Sequence, residues 1–359
     1  MIKNIKIQNL RCFTDVSFEF AKGDNLIIGS NGSGKTTILE SIGLFSFGRF
    51  ISISQDSLAI RSGKEVGRVE ISVEKDGREM SAEVALTHSE KIFKLMGNKV
   101  AISDIIGFVK AVYFNPETID LVSGSPQVRR REVDSAIAQK NHLFVQTLLH
   151  YRNVLKQRNV LLRRIGGGQA KKGELSFWDG ELEKYAQEIL TKRKKFIDEI
   201  NKNLCVSHEN LLQKKSALAL RYLASCDYER FGEVLAASMD ADINVGLTQF
   251  GPHRDDFSFQ QSAASSRLIN LRDGASRGEQ RMAAIAFKLE VKKYLADGEE
   301  PVLIFDDVFS ELDERSRAAV AKIIDPFDKL RAGGQLIISA TDERVVPAEL
   351  KNKAKTIKL

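Results

Sequence analysis

Two short motifs, each half of one chemical site, stand near opposite ends of this chain. That separation limits what it can fold into. Residues 29–36 read Gly29-Ser30-Asn31-Gly32-Ser33-Gly34-Lys35-Thr36, the spacing G-x-x-x-x-G-K-T. A strand pattern, 25–28, precedes it, and a helical pattern starting at Thr37 follows. Glycines let consecutive backbone N–H groups turn inward around phosphate oxygens, and a helix N-terminus adds partial positive charge. In that frame Lys35 reaches the outer phosphates and the Thr36 hydroxyl ligates Mg²⁺. Gly29, Asn31, Gly32, Gly34 and Thr37 complete the cradle for ATP. Without the flanking strand and helix the same residues would be an ordinary glycine-rich turn.

The metal needs a second, anionic ligand at the end of an adjacent strand. Val302-Leu303-Ile304-Phe305-Asp306-Asp307 supplies it as four apolar residues followed by two carboxylates. Asp306 is expected to hold Mg²⁺ through water, and Asp307 to polarise the attacking water near the γ-phosphate. Lys35, Asp306 and Asp307 are thus the candidate catalytic residues, and Thr36 and Asp306 the candidate metal ligands. Taken alone, the second motif also fits a plain buried strand ending in a polar turn. Some 270 residues separate Lys35 from Asp306. Compact P-loop domains keep these halves closer, so an insertion must lie between them.

Periodicity shows what is inserted. Residues 2–28 and 68–100 alternate apolar and polar like strands, with a turn at Asp76-Gly77, and 36–47 reads as a helix. From 127 the texture changes. Ile137, Phe144 and Tyr151 recur every seven residues, and so do Leu148, Leu155 and Leu162, which predicts one long helix with an apolar face. Gly166-Gly167-Gly168 ends it. A second helix carries Leu182, Ile189 and Phe196, with Trp178, Tyr185 and Ile200 beside them; these stripes and Trp178 are expected to be core. Basic clusters lie between the stripes, among them Arg129-Arg130-Arg131 and Lys192-Arg193-Lys194-Lys195. An antiparallel helical hairpin over 127–205 follows. Strands resume near Leu218, and an α/β pattern runs from 266 to the end. The expected organisation is a discontinuous head, 1–115 plus 240–359, interrupted by a lobe, 116–239.

Composition agrees with a globular chain. Of 359 residues, 43% are hydrophobic and 28% charged, which excludes disordered, collagenous and disulfide-scaffold classes. The hairpin accounts for much of the charge. Three scattered cysteines, Cys12, Cys205 and Cys226, suit reduced thiols. The N-terminus reads as a strand, and no apolar run approaches the length needed to span a bilayer, so no membrane role and a cytoplasmic location are expected. A net charge of +6 says little as a total.

Ahead of the second motif, Ala275-Ser276-Arg277-Gly278-Glu279-Gln280 opens a helix through Met282, Ile285 and Leu289. A plain N-cap at Ser276 explains it. So does a second anion-binding helix end, because it lies 30 residues before Asp306 with one helix between.

This order of motifs resembles the RecF family of SMC-like, ABC-type ATPases. Asp306-Asp307-Val308-Phe309-Ser310-Glu311-Leu312-Asp313 matches that family's D-D-V-F-S-E-L-D run, and Gly251-Pro252-His253-Arg254-Asp255-Asp256 its G-P-H-R-D-D. Gly124-x-Pro126 with Arg129, Arg130 and Asp134, and Leu155-Lys156-Gln157-Arg158-Asn159, are similar to further family stretches. The resemblance runs from Ile2 to about Thr341. It implies an α/β fold, an ABC-type P-loop ATPase head of mixed β-sheets with flanking helices, interrupted by the helical lobe. It implies that Ser276, Gly278, Gln280 and Asp313 cap ATP held by another copy, giving an ATP-dependent homodimer that clamps double-stranded and gapped DNA. Slow, DNA-stimulated hydrolysis would release it, in work with RecR and RecO type mediator proteins to load recombinase in repair and replication restart. Arg277 and Glu279 depart from the family's S-Q-G-Q-Q, and Ser339-Ala340-Thr341-Asp342 lacks the His many cassette ATPases carry, with Thr341 as a substitute.

Arg129, Arg130 and Arg131 are candidates for DNA contact, or for a solvated helix start. His253 with Asp255 and Asp256 reads as a bridge from the lobe back to the ATPase sheet, as a nucleotide-dependent contact, or as a metal cluster. Two other classes compete. An SMC-like ATPase coupled to a nuclease or defence system would need a carboxylate cluster for two metals, and none is visible. A transporter ATPase would need a different style of helical lobe.

Overall fold

The computed structural model describes residues 1–262, 268–324 and 334–359. They form two compact units, each built from several chain segments. The first comprises Met1–Ile119, Val206–Ser216 and Arg281–Leu359; the second comprises Asp120–Cys205 and Ala217–Gln280.

The chain opens with β1 (Ile2–Leu10), β2 (Phe13–Glu19), β3 (Asp24–Ile28) and α1 (Lys35–Phe47). It continues through β4 (Gly67–Lys75), β5 (Arg78–Leu86), β6 (Lys91–Leu95), β7 (Asn98–Val100), α2 (Ile102–Ile105) and β8 (Ala111–Phe114). Next come α3 (Asp120–Ser123), α4 (Pro126–Lys140), α5 (His142–Gly166), α6 (Leu175–Asn201), α7 (Leu204–Leu212), β9 (Leu218–Leu223) and α8 (Phe231–Val245). Then follow β10 (Asp256–Ser262), β11 (Leu268–Asn270), α9 (Leu271–Gly274), α10 (Arg277–Leu295), β12 (Val302–Asp306), α11 (Glu314–Ile324), β13 (Leu336–Ala340) and β14 (Lys355–Lys358).

The first unit holds two sheets. One is antiparallel, in the order β2-β1-β4-β5-β6-β7; the other is parallel, in the order β14-β3-β13-β12-β8. Their sequences differ as burial requires. In β4, Val69, Ile71 and Val73 are buried and alternate with more exposed residues, as a one-sided sheet demands. The central parallel strands β12 and β13 are buried at every position, which explains their unbroken apolar runs. The turn expected at Asp76-Gly77 joins β4 to β5, both residues having positive φ. Gln335 ties the sheets together: it accepts from the Ile2 N–H and donates to the carbonyls of Ile2 and Ala21. Met282, Ile285, Leu289 and Val291 on α10 are buried as their spacing predicts.

In the second unit, α5 and α6 are antiparallel. Thr147 meets Glu188, His150 stacks on Tyr185, and Arg158 pairs with Asp179, so the partners step in opposite directions along the two helices. The expected single first helix is two. Asn141 lies outside helical φ/ψ, and its side chain accepts from the Phe144 N–H, so it caps α5 and separates it from α4. Ile137, Phe144 and Tyr151 still share burial, because the heptad spacing survives the break. Leu162, Leu182, Ile189 and Phe196 are buried as expected, and Trp178 packs half-buried against Leu161, Leu162 and Leu175. Leu148 and Leu155 are only partly buried, which departs from the expected core stripe.

The second unit also extends beyond residue 239 to Gln280. Strand β9 pairs with β10 and β10 with β11, making a three-stranded antiparallel sheet within this unit. Asn201 of α6 brackets the Leu220 backbone with two hydrogen bonds of 2.8 Å. Pairing across more than thirty residues therefore holds 240–280 with the helices, where local pattern assigned them to the head. The α/β pattern expected from 266 to the end falls partly on residues outside those described.

Candidate nucleotide-binding site

The P-loop leaves β3 at Ile28 and enters α1 at Lys35. Gly34 caps the helix at φ 105°, and a Cβ there would lie 2.4 Å from the Phe13 ring. Both the left-handed backbone and the contact require glycine. Lys35 is buried, and its Nζ donates to the Gly29 carbonyl at 2.7 Å and the Ser30 carbonyl at 3.0 Å. The loop thus folds around its own ammonium group.

Strand β12 is two places from β3, with β13 between them. Its end brings Asp306 to the P-loop: Thr36 Oγ1 lies 3.2 Å from Asp306 Oδ1. Two residues that sequence reasoning missed hold this carboxylate. Ser339 of β13 donates to Oδ1 at 2.7 Å, and Tyr113 of β8 donates to Oδ2 at 2.8 Å. Tyr113 is buried, and burial followed by the nearby Asp306 charge raises its phenol far above the usual range, so it remains a donor. Neither residue belongs to a motif. Their positions on the strands flanking β12 are the only sequence signal, visible once the strand order is known. Asp307 follows at φ 53°, with its N–H bonded to Ser339 Oγ. Its Oδ1 is buried without a hydrogen-bond partner.

One recess of about 310 Å³ gathers these groups. Asn31, Gly32, Gly34, Lys35, Thr36, Thr37, Asp306 and Asp307 line it, and Arg11 and Cys12 complete its wall. Glu40 of α1 pairs with Arg11 at 2.6 Å. Glu40 is buried, so its carboxylate holds the Arg11 side chain in place. The donor set fits Mg²⁺ and a polyphosphate. Hard oxygens from Thr36 and Asp306 converge, Asp307 carries an orphaned buried oxygen, and Lys35 is held by carbonyls that phosphate oxygens can replace.

The other candidates fall elsewhere. Ser276, Gly278 and Gln280 belong to the second unit. Ser276 and Glu279 form a reciprocal capping box, a role that the Gln of the family pattern could equally fill. Gly278 is exposed. Gln280 is buried and donates to the carbonyls of Leu271, Arg272 and Ala275, so its amide is committed to the loop. Asp313 accepts from the Ser316 N–H at the start of α11, and that bond lowers its carboxyl from the ordinary value. Thr341 is exposed and is not among the lining residues; Ser339 is the residue of that segment that touches the site.

The basic triplet separates by role. Arg129 is buried, forked onto Asp256 at 2.7 and 2.8 Å, and bonded to the Gly124 carbonyl. That geometry removes it as a surface contact. Arg130 donates to the Asp255 carbonyl, and Arg131 is exposed. Asp255 is fully buried and accepts from Tyr222, Tyr228 and the Ser225 N–H. Arg193 forks onto Asp134 at 2.8 and 2.9 Å. His253 bonds Tyr151 and the Thr248 carbonyl. His253, Asp255 and Asp256 therefore serve different partners within the second unit, as fold-holding groups.

Residues 1–357 match the family model described as RecF/RecN/SMC N terminal domain. The chain is similar to the DNA replication and repair protein RecF of Moorella thermoacetica, 28% identical over 351 residues, 97% of this chain and 92% of that one. Its likeness to the protein of the same description from Lachnoclostridium phytofermentans is 31% over 324 residues, 88% and 87% of the two chains. A solved structure of the recombination mediator protein RecF with ATP, of the RecFOR pathway, has a TM-score of 0.87 at 29% identity over 96% of this chain and 93% of that one. An Smc head bound to the C-winged helix domain of ScpA has a TM-score of 0.56 at 17% identity over 99% and 93%, a likeness of fold alone.

Proposed function

Because this chain belongs to the RecF family of DNA replication and repair proteins, we propose that it binds and hydrolyses ATP to close two copies of itself on DNA. The fold is the ABC-type ATPase head that the sequence resemblance implied. The convergence of Lys35, Thr36, Asp306 and Asp307 in one recess carries the reading. When bound, Mg²⁺–ATP supplies the γ-phosphoryl group and its charge neutralisation. Lys35 exchanges its carbonyl partners for phosphate oxygens. Tyr113 and Ser339 keep Asp306 from rotating, and the free oxygen of Asp307 orients the attacking water. The Ser276 and Gly278 segment, shaped by Gln280, contacts the ATP of the second copy, and Asp313 contributes to the same nucleotide contact.

The closed pair holds double-stranded and gapped DNA through phosphate contacts, so binding falls with salt and carries little sequence preference. Hydrolysis is slow, DNA-stimulated, and resets the clamp. RecR and RecO type mediators are the partners in loading recombinase, a reading supported by the RecFOR description of the similar solved structure.

Sizing with and without Mg²⁺–ATP tests this. The natural chain shifts to a dimer, and Lys35→Ala stays monomeric. Asp307→Asn keeps the left-handed backbone, because Asn tolerates it. It should remain dimeric while hydrolysis drops about 10²–10⁴-fold. A natural chain that stays monomeric with ATP bound removes the clamp, and equal DNA affinity with ATP and ADP removes the switch.

A further inference from the structure

A second recess lies wholly within the second unit, walled by α4, α5, α6 and the Pro252-His253 turn, with a volume of about 300 Å³. Its charge is one-sided. Arg130, Arg131, Arg152 and Arg193 line it against a single carboxylate, Asp134. That carboxylate is already forked onto Arg193. The neighbouring acids are spoken for as well: Asp256 holds Arg129, and Asp255 accepts from two tyrosines. Arg131 and Arg152 are exposed, on adjacent helices.

The other wall groups neither neutralise this charge nor compete for a ligand. His253 Nε2 faces a carbonyl, which accepts only, so Nε2 carries the proton and Nδ1 accepts from the Tyr151 hydroxyl. Burial pushes the imidazole down to about 4, so His253 is neutral near pH 7. Burial and then the neighbouring Arg193 lower the Arg130 guanidinium from its ordinary value, partly offset by Asp256, Asp134 and Asp255. The apolar part of the lining is Leu148, Leu155 and Ile189. The first two are those that helical spacing assigned to the core and the fold leaves partly open.

We propose that this recess is a phosphate-binding site. Two exposed guanidiniums on adjacent helices, Arg131 of α4 and Arg152 of α5, beside a partly committed Arg130, suit a tetrahedral oxyanion with several acceptors better than a planar carboxylate, while Arg193 adds its charge from behind its bonds to Asp134 and Pro252. The volume and apolar lining leave room for the sugar of a nucleic-acid backbone beside the phosphate. The site lies outside the nucleotide recess and does not depend on ATP-driven dimerisation.

The test uses the full chain without nucleotide. Duplex DNA affinity is followed by anisotropy across a salt series, and inorganic phosphate binding by calorimetry. The variants are Arg131→Ala, Arg152→Ala and their double, with Lys192→Ala/Lys194→Ala as a control of equal charge change at exposed positions of α6. Each exposed arginine should cost about 3–10-fold in duplex affinity. The double variant should lower the slope of log K against log salt by about 2. Loss of DNA binding alone assigns the site to backbone phosphate. Loss of phosphate binding as well shows that the free ion is sufficient. A double variant that matches the lysine control in both measurements overturns the proposal.

Discussion

Two clusters of charged motif residues in this molecule serve opposite ends. In the nucleotide recess, charge is held ready: Lys35 sits on replaceable carbonyls, and Asp307 keeps a buried oxygen without a partner. In the second unit, the buried motif arginines are paired. Arg158 has no exposed surface and bonds Asp179, Asp242 and Thr248; Arg193 and Arg129 are forked onto carboxylates. Both clusters look alike in the sequence, as specific polar runs. The difference is access: Lys35 and Asp307 line an open recess, whereas Arg158, though its Nη2 also lacks a partner, is sealed among Asp179, Asp242 and Thr248.

The sharpest way to break this contrast is Arg193→Ala. It strands the Asp134 carboxylate and should cost about 3–5 kcal/mol of the second unit's stability. Urea unfolding followed by Trp178 fluorescence reads it, and a change within about 1 kcal/mol would show that the ion pair does not hold the fold. Tyr113→Phe tests the other side. It leaves one oxygen of Asp306 without its donor, at about 1.5–3 kcal/mol for a hydrogen bond to a charged group. The loss should appear in Mg²⁺-dependent ATP hydrolysis as well as in melting, and hydrolysis unchanged beside a lowered melting point would make Tyr113 a purely structural residue.

The smallest effect is with pH. Folded His253 titrates near 4, against about 6.5 for an unfolded imidazole. Above pH 6.5 neither state binds the proton, and the full contribution is present. Between 6.5 and 4 only the unfolded chain binds it, so stability falls as pH falls. About 2 kcal/mol should disappear between pH 7 and pH 5. His253→Asn should flatten that part of the profile, and parallel profiles for both proteins would dismiss the imidazole as the cause.

Much of the nucleotide site was legible because it is local. Eight consecutive residues specify the P-loop, and a run of apolar residues ending in Asp306-Asp307 marks a buried strand end. Tyr113 and Ser339 were not legible, because they reach Asp306 from different strands. Asn141 hid its break inside an intact heptad spacing, since a cap interrupts the helix without changing which residues are apolar. The boundary at 240 failed because β9 and β10 pair at a distance that no window spans.

The sequence by itself determined the pieces whose geometry is set by near neighbours: the phosphate loop, the alternating and unbroken strands, the amphipathic hairpin and the family. Only the tertiary structure decided which charges are left over. Arg129 meets Asp256 across 127 positions and Arg193 meets Asp134 across 59. Such pairings depend on packing in space. Residues 129 and 131 are therefore chemically identical in the sequence, yet one is a buried brace and the other an open cation.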